Sequence, residues 1–485
     1  MTPRLATLLS AAVLAAGPAL AAGPDKPNVV FILADDLGIN DLGCYGRKDH
    51  HTPRLDKLAS EGMRFTCAYC AQPICSPARA AILTGKAPAR LHLTTFLPGR
   101  ADCPSQKLVH PKINQQLPLE ERTLAEYLKP AGYTSACIGK WHLGGVGFMP
   151  SDQGFDVAYA GTANTRPSDT EGGKGEYDLT RQAIRFVEAN KDRPFFLYLA
   201  HNTPHIPLGA KPELVEKYKT AFNPTYAAMM HSMDECVGMV LARLDELKLA
   251  EKTIVIFTSD NGGLHILESP DSPATHNTPY RAGKGFVYEG GLRIPLIVRW
   301  LGVVPAGKVT DMPVVQSDWV PTLLEACGVK ANGPFDGVSI LPLLKGGTLA
   351  ARPLYWHFPH YTNQGSRPAG AIRDGNWKLV EHYEDGRVEL YDLSKDVGEE
   401  HDLAAREPDR ARALKDKLAA WRKAVGAQEN TPNPAFDPAL HQKLYVDTDV
   451  SRLKAGETAA AMRPGLKDWR EGMNAVLPKK KAAKK

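Results

Sequence analysis

Five short apolar runs, each stopped abruptly by polar residues, constrain this chain more than any other feature. VVFILA (29–34) ends at Asp35-Asp36, TSACI (134–138) at Gly139-Lys140-Trp141-His142, and FFLYLA (195–200) at His201-Asn202-Thr203-Pro204-His205. IVIFTS (254–259) ends at Asp260-Asn261-Gly262-Gly263, and PLIVRW (295–300) follows Ile294. Such runs are too short for helices and lack the alternation of a strand with one wet face, so they read as parallel strands buried on both sides. Helical patterns at 121–129 and 226–247 separate them, which predicts an α/β fold with a large, mostly parallel sheet flanked by helices. Ligands bind such sheets beyond the carboxyl ends of the strands. Each polar cluster alone is explained as a helix cap or a solvated loop; four of them at one sheet edge point to a site.

After residue 354 the pattern shortens into alternating, turn-punctuated pieces, LYWHF (354–358), AIRDGNWKLVEH (371–382) and VELYDL (388–393), followed by a basic amphipathic helix at 408–425. This predicts a smaller C-terminal α+β domain, an antiparallel sheet with one helix on it. The expected division is a catalytic domain over 27–350, the small domain over 351–427, and an extended basic tail over 428–485, partly disordered, where Pro, Asn and Asp increase and Lys accumulates. The 485 residues carry a net charge of +5, and Lys479, Lys480, Lys481, Lys484 and Lys485 account for all of it. A near-neutral body argues against nucleic acid, and ordinary solvated charge explains the lysine tail at least as well as a membrane- or wall-associated adaptor role does.

Arg4, the apolar stretch 5–16 and Ala19-Leu20-Ala21 form the pattern of a cleaved signal peptide over 1–21, so the expected destination is the periplasm or the extracellular space. No later stretch approaches the ~20 apolar residues of a membrane span. The eight cysteines then invite disulfides. Cys67 and Cys70 have no second pair to complete a zinc site, which leaves a local disulfide or buried thiols as the reading.

One cysteine differs. In Cys75-Ser76-Pro77-Ala78-Arg79-Ala80-Ala81-Ile82-Leu83-Thr84-Gly85, Pro77 suits a helix start, so Cys75 lies at an N-terminus that favours anions, with Arg79 one turn on. This string resembles the sulfatase signature, whose cysteine is oxidised to formylglycine. Residues 28–403 are similar to the type I, formylglycine-dependent sulfatases, arylsulfatase-like members of the alkaline phosphatase superfamily. The resemblance is carried further by Asp35-Asp36, Gly139-Lys140-Trp141-His142-Leu143-Gly144, Thr203-Pro204-His205-Ile206-Pro207, Ser259-Asp260-Asn261-Gly262, Gly283-Lys284-Gly285 and Glu289-Gly290-Gly291. In the second domain it is carried by Ile372-Arg373-Asp374-Gly375-Asn376-Trp377-Lys378 and Glu389-Leu390-Tyr391-Asp392-Leu393.

The residue types suit that chemistry on their own. Asp35, Asp36, Asp260 and Asn261 are hard oxygen donors that favour Ca²⁺, then Mg²⁺, over zinc. Three carboxylates exceed a divalent charge, and Arg79, Lys140, Lys284, His142 and His205 supply the cations an anionic substrate needs.

The resemblance implies that modified Cys75 joins the metal ligands and that its aldehyde hydrate is the nucleophile, with Asp260 taking its proton. A covalent sulfate ester forms, and His142 then drives sulfate off. Arg79 and Lys140 hold the hydrate and sulfate; His205 and Lys284 face the leaving oxygen, with His205 the better acid at its ordinary pKa. His201 is expected in a supporting role and His231 on a helix, while His92, His357 and His360 are candidates to line a sugar pocket.

The implied substrate is a sulfate monoester, carried on carbohydrate for an exported enzyme, and a formylglycine-generating enzyme is the implied maturation partner. Two alternatives stand beside it, a phosphonate or phosphate ester hydrolase of the same superfamily and an inactive carbohydrate-binding relative.

Overall fold

A computed structural model describes residues 26–478 apart from 163, 331 and 332. The expected signal peptide and the lysine-rich end at 479–485 lie outside the described residues. A nine-stranded sheet organises the large domain. Its order is Val314–Val315, Met63–Tyr69, Arg293–Arg299, Thr253–Ser259, Asn28–Ala34, Phe195–Ala200, Thr134–Gly139 and Val157–Tyr159, with Lys308–Thr310 also paired to Met63–Tyr69.

Four of the five apolar runs are consecutive neighbours in this order, all parallel, and they form the floor of the core. Their register aligns the strand ends. Ala34 lies beside Ser259, Leu33 beside Ala200, and Gly139 beside Ala200, so Asp35, Asp260, Lys140 and His201 leave the sheet at one level. Gly139 is required there: at φ +103° it packs so closely that a Cβ would sit 1.9 Å from the Ala200 carbonyl oxygen.

The fifth run corrects the sequence reading, because Arg293–Arg299 is antiparallel to Thr253–Ser259. A parallel return needs a crossover of a dozen or more residues, usually a helix. The 260–292 connection contains one helical turn, Glu289–Leu292, and re-enters the sheet from the edge it left. That return keeps Lys284 at the active edge. The strand Met63–Tyr69 was not anticipated; its Arg64 and Thr66 interrupt the apolar run. The helical patterns appear as Leu124–Leu128, closed by a Thr123/Glu126 capping box, and Pro224–Glu246, capped by Asn223.

The small domain is the antiparallel sheet Leu354–Phe358, Ala369–Asp374, Trp377–His382, Val388–Asp392, with helix Pro408–Ala424 burying Leu414 and Leu418 on Ile372, Leu379 and Leu390. It meets the large domain through a buried ion cluster. Glu289 accepts from Tyr69 (2.7 Å), Arg293 (2.8 Å) and Lys378 (2.9 Å), and Lys378 also reaches Glu399 at 2.8 Å.

The tail expected to run extended after residue 428 does not. Thr431–Pro432 pairs with Leu108–Val109, and helix Ala459–Ala475 buries Leu466, Trp469 and Met473 in the main core. Their i, i+3, i+7 spacing makes one apolar stripe that the Pro- and Asn-rich composition around it masks. All eight cysteines are free, and Cys67 and Cys70 are buried thiols. No described helix is long and apolar enough to cross a membrane.

Lys378→Met should destabilise the protein by about 3–5 kcal/mol, because Glu289 and Glu399 would share a buried site without their common cation. Urea unfolding followed by tryptophan fluorescence measures it; an unchanged midpoint would show that the cluster does not join the domains.

Candidate active site

Strand ends concentrate charge here. Asp35, Asp36, Asp260 and Asn261 are buried where the central strands stop. Asp36 takes a left-handed backbone, φ 66°, which lets its N–H donate to Asp260 Oδ1 at 3.0 Å. Lys140 Nζ donates to both Asp35 oxygens (2.8 and 2.6 Å), Lys284 Nζ to Asp36 Oδ2 (2.7 Å), and Arg79 to Asp260 Oδ2 through Nε (3.0 Å) and Nη2 (2.8 Å).

Burial alone would raise Asp35, but the Lys140, Arg79 and Lys284 charges outweigh it and hold the carboxyl well below its usual range. Burial pushes Asp260 the other way, with the Asp35 and Asp36 charges adding to it against the pull of Arg79. Asn261 Nδ2 donates to Asp36 Oδ1 at 2.8 Å, while its buried Oδ1 has no partner. Three carboxylates and an unpartnered amide oxygen fit a hard divalent cation. Asp35, Asp36 and His205 also offer ligand atoms within 4.8 Å of one another.

Cys75 opens helix Cys75–Thr84, with Ile74 extended before it, so the thiol stands at the end of the helix whose free N–H groups and dipole favour negative charge. Its Sγ lies 3.2 Å from His142 Nδ1. The opposite ring nitrogen, Nε2, is 3.0 Å from the Leu97 carbonyl, which can only accept, so the proton sits on Nε2 and a lone pair on Nδ1 faces Cys75. Burial, with Lys140 nearby, pushes His142 down to about 4 and keeps it neutral. His142 has φ 59°, a second non-glycine left-handed residue at this edge. Leu97 is fixed in turn, its N–H donating to Ser76 Oγ at 3.1 Å.

His205 is arranged differently. Its Nδ1 is bonded to the Ile206 carbonyl and therefore carries the hydrogen, leaving Nε2 to accept from Lys284 Nζ at 3.1 Å. The ring edge is 21% exposed into the cavity, yet burial and the Lys284 charge hold it well below its ordinary pKa. His205 is therefore not the better acid that an ordinary histidine pKa would make it: the proton of this pair is on Lys284, which Asp36 holds above its ordinary value although burial opposes it.

Cys75, Lys140, His142, His205 and Lys284 line one cavity of about 460 Å³. A larger cleft of about 740 Å³, between 276–282, 398–400 and 451–456, holds none of these side chains, so the smaller cavity is the candidate site. Ile74 completes its lining together with Phe96, Asn164, Thr165, Glu268, Asn363 and Gln364, and the last six were not anticipated, because they come from loops without a local pattern. Asn164 Nδ2 donates to Asp35 Oδ2 at 3.3 Å, and buried Lys174 holds Asn164 Oδ1 at 3.0 Å and the Ile206 carbonyl at 2.9 Å.

His201 is buried against Glu176, and His231 is satisfied by Tyr218 at 2.9 Å. His357 and His360 are 1% and 2% exposed, bonded to Tyr383 and Thr94, and His92 binds the Gly426 carbonyl. None of these three lines the cavity, a correction caused by the small domain folding over them.

The family model described as sulfatase matches residues 27–329, and that of the N-sulphoglucosamine sulphohydrolase C-terminal region matches 282–424. N-acetylgalactosamine-6-sulfatase of Canis lupus familiaris is 35% identical over 390 residues, covering 73% of this chain and 72% of that protein. Human arylsulfatase A is 33% identical over 471 residues, covering 83% and 88%. Among solved structures, Ps i-CgsB in complex with k-i-k-neocarrahexaose superposes with a TM-score of 0.71 at 30% identity, over 82% of this chain and 93% of that one. The phosphonate monoester hydrolase of Agrobacterium radiobacter shares the fold, with a TM-score of 0.62 at 19% identity over 82% of this chain and 96% of that one. The sulfatase match runs through every strand end that builds the cavity, and the chain belongs to the type I sulfatases of the alkaline phosphatase superfamily, hydrolases of sulfuric ester bonds.

Proposed function

We propose that this sulfatase removes sulfate from a saccharide, using Cys75 matured to formylglycine as the nucleophile, after export directed by residues 1–21. The observation that carries the reading is the contact of the Cys75 side chain with the unprotonated Nδ1 of His142 at a helix N-terminus. Sγ of the unmodified residue stands in for an oxygen of the hydrated aldehyde. A neutral base aimed at that atom suits removal of a proton from the second hydroxyl, the step that releases sulfate. A formylglycine-generating enzyme supplies the oxidation in this reading.

Asp35, Asp36, Asp260, Asn261 and residue 75 are the groups to hold one Ca²⁺, with Mg²⁺ the lesser choice for a set of this many oxygens. When bound, the ion polarises the sulfate and lowers the pKa of the hydroxyl on residue 75. Arg79 and Lys140 hold residue 75 and the sulfate oxygens. The Lys284–His205 pair hands a proton to the leaving oxygen as the S–O bond breaks. Retention of Cys75 in the cavity, with Arg79 and all three aspartates joined by ion pairs and hydrogen bonds to one another or to cavity-lining lysines, speaks against an inactive carbohydrate-binding relative. Among the relatives, N-acetylgalactosamine-6-sulfatase and the neocarrahexaose-bound structure support a sulfated sugar as substrate.

Peptide mass spectrometry of protein made beside a maturation system should find an aldehyde at position 75. Cys75→Ala should abolish hydrolysis of 4-nitrophenyl sulfate, and full activity with an unmodified thiol throughout would defeat the mechanism. Faster turnover of phenylphosphonate or phosphate esters than of sulfate would favour the phosphonate or phosphate ester hydrolase.

His142→Ala and His205→Ala should fail at different steps. The first should trap sulfate on residue 75, visible as added mass, whatever the leaving group. The second removes the acceptor that orients the Lys284 proton toward the leaving oxygen, so it should slow formation of that adduct by ~10²–10⁴ for sugar alkoxides and much less for nitrophenolate. Equal losses of His205→Ala on both substrates would refute this division.

Elemental analysis should return about one calcium per chain, and Asp36→Asn should lower that occupancy. A stoichiometric pair of zinc ions would not fit the donor set.

A further inference from the structure

The family match ends at residue 424, yet the chain beyond it reaches the wall of the cavity. In helix Ala459–Ala475, Arg470 is 7% exposed. Its Nε donates to the Leu267 carbonyl at 2.6 Å and its Nη2 to the Asn363 carbonyl at 2.5 Å. Leu267 precedes Glu268 and Asn363 precedes Gln364, so one guanidinium joins the two loops that carry Glu268, Asn363 and Gln364 into the cavity. Between these loops the one direct hydrogen bond among the described residues is Gln364 Nε2 to Glu268 Oε2, 2.5 Å.

Other contacts from the same helix brace the arrangement. Arg463 donates to the Asp271 and Ser272 carbonyls at 3.2 and 3.1 Å. Arg100 connects Asn363 Oδ1, 2.6 Å, to the Met473 carbonyl, 3.0 Å. Gly365, at φ +87°, lies flat on the helix, where a Cβ would come 2.6 Å from Trp469 Cζ2.

Arg470 has no carboxylate within ion-pair distance among the described residues. Burial lowers it to about 10, which leaves it charged at neutral pH. A buried guanidinium without a counter-ion is unfavourable unless its donors are used, and here they are used on carbonyls of the two loops. The side chains those loops present, a carboxylate and two amides, suit the hydroxyls of a sugar ring, whereas the sulfate-binding charges sit on Arg79 and Lys140.

We propose that the C-terminal helix belongs to the saccharide-recognition apparatus, with Arg470 the positioning residue that sets the spacing of Glu268 against Asn363 and Gln364. The proposal rests on the saccharide-sulfatase reading above and adds to it the segment that determines sugar fit. The sulfate-reacting centre does not depend on that spacing, because no group bonded to Arg470 touches Cys75, His142 or the metal-type donors.

The test compares 4-nitrophenyl sulfate with a panel of galactose 4-sulfate, galactose 6-sulfate, N-acetylgalactosamine 6-sulfate and a sulfated carrageenan oligosaccharide, all on the matured full chain. Arg470→Met should raise KM for the best sugar sulfate about tenfold with little change in kcat, and alter kcat/KM for 4-nitrophenyl sulfate less than about twofold. Arg470→Lys, which keeps the charge but reaches one carbonyl at a time, should show the same split at smaller size, and it decides the matter if Arg470→Met does not fold. Equal losses on both substrates, or no change on either, overturn the proposal. So does wild-type protein that cleaves 4-nitrophenyl sulfate but none of the sugars, whereas failure to cleave any sulfate ester defeats the sulfatase reading underneath it.

Discussion

Three buried carboxylates meet at one sheet edge, and the rest of the structure is arranged around bringing cations to them. Asp35, Asp36 and Asp260 would each be expensive to bury as anions without partners. Lys140, Lys284 and Arg79 answer them one for one at hydrogen-bond distance. A divalent cation held by the same oxygens would add positive charge to the cavity, which would favour an anionic group there, and Lys140 and Lys284 line that cavity.

Placing those six side chains demands strands in strict register. A slip of one residue in any of the four central strands would move its terminal polar group off the shared level and invert its buried faces, which an all-apolar run tolerates less at its ends than along its length. Gly139 makes the close approach possible, and the left-handed residues Asp36 and His142 turn the chain where a helix or strand would have carried it past the site. Strained backbone persists when surrounding structure over-determines it, and here both residues are pinned by hydrogen bonds to neighbouring segments, Asp260 in one case and Leu97 in the other.

The second domain and the tail act on the site indirectly. Glu289, Lys378 and Glu399 join the small sheet to the large one through buried charge, and the loop from that sheet brings Asn363 and Gln364 to the cavity. The C-terminal helix then closes over this loop from outside, with Trp469 and Leu466 in the main core. The charged floor of the candidate site is thus built by the central strands, while the rest of the cavity wall is assembled from segments far apart in the chain.

The sequence by itself determined which polar side chains meet at the candidate site. Apolar runs too short for helices end in Asp35-Asp36, Lys140, His205 and Asp260-Asn261, and a proline and an arginine at fixed distances mark Cys75; these are local patterns, legible because strand burial and helix capping depend on neighbouring residues. Only the tertiary structure decided that the run after Ile294 turns antiparallel, that His357 and His360 are sealed away, that Lys284 rather than His205 holds the proton of their pair, and that a basic-looking tail is a helix gripping the cavity wall. Those outcomes depend on loop return paths, on burial by distant segments and on single charges placed a few ångströms away across hundreds of residues, none of which leaves a periodic trace in the chain.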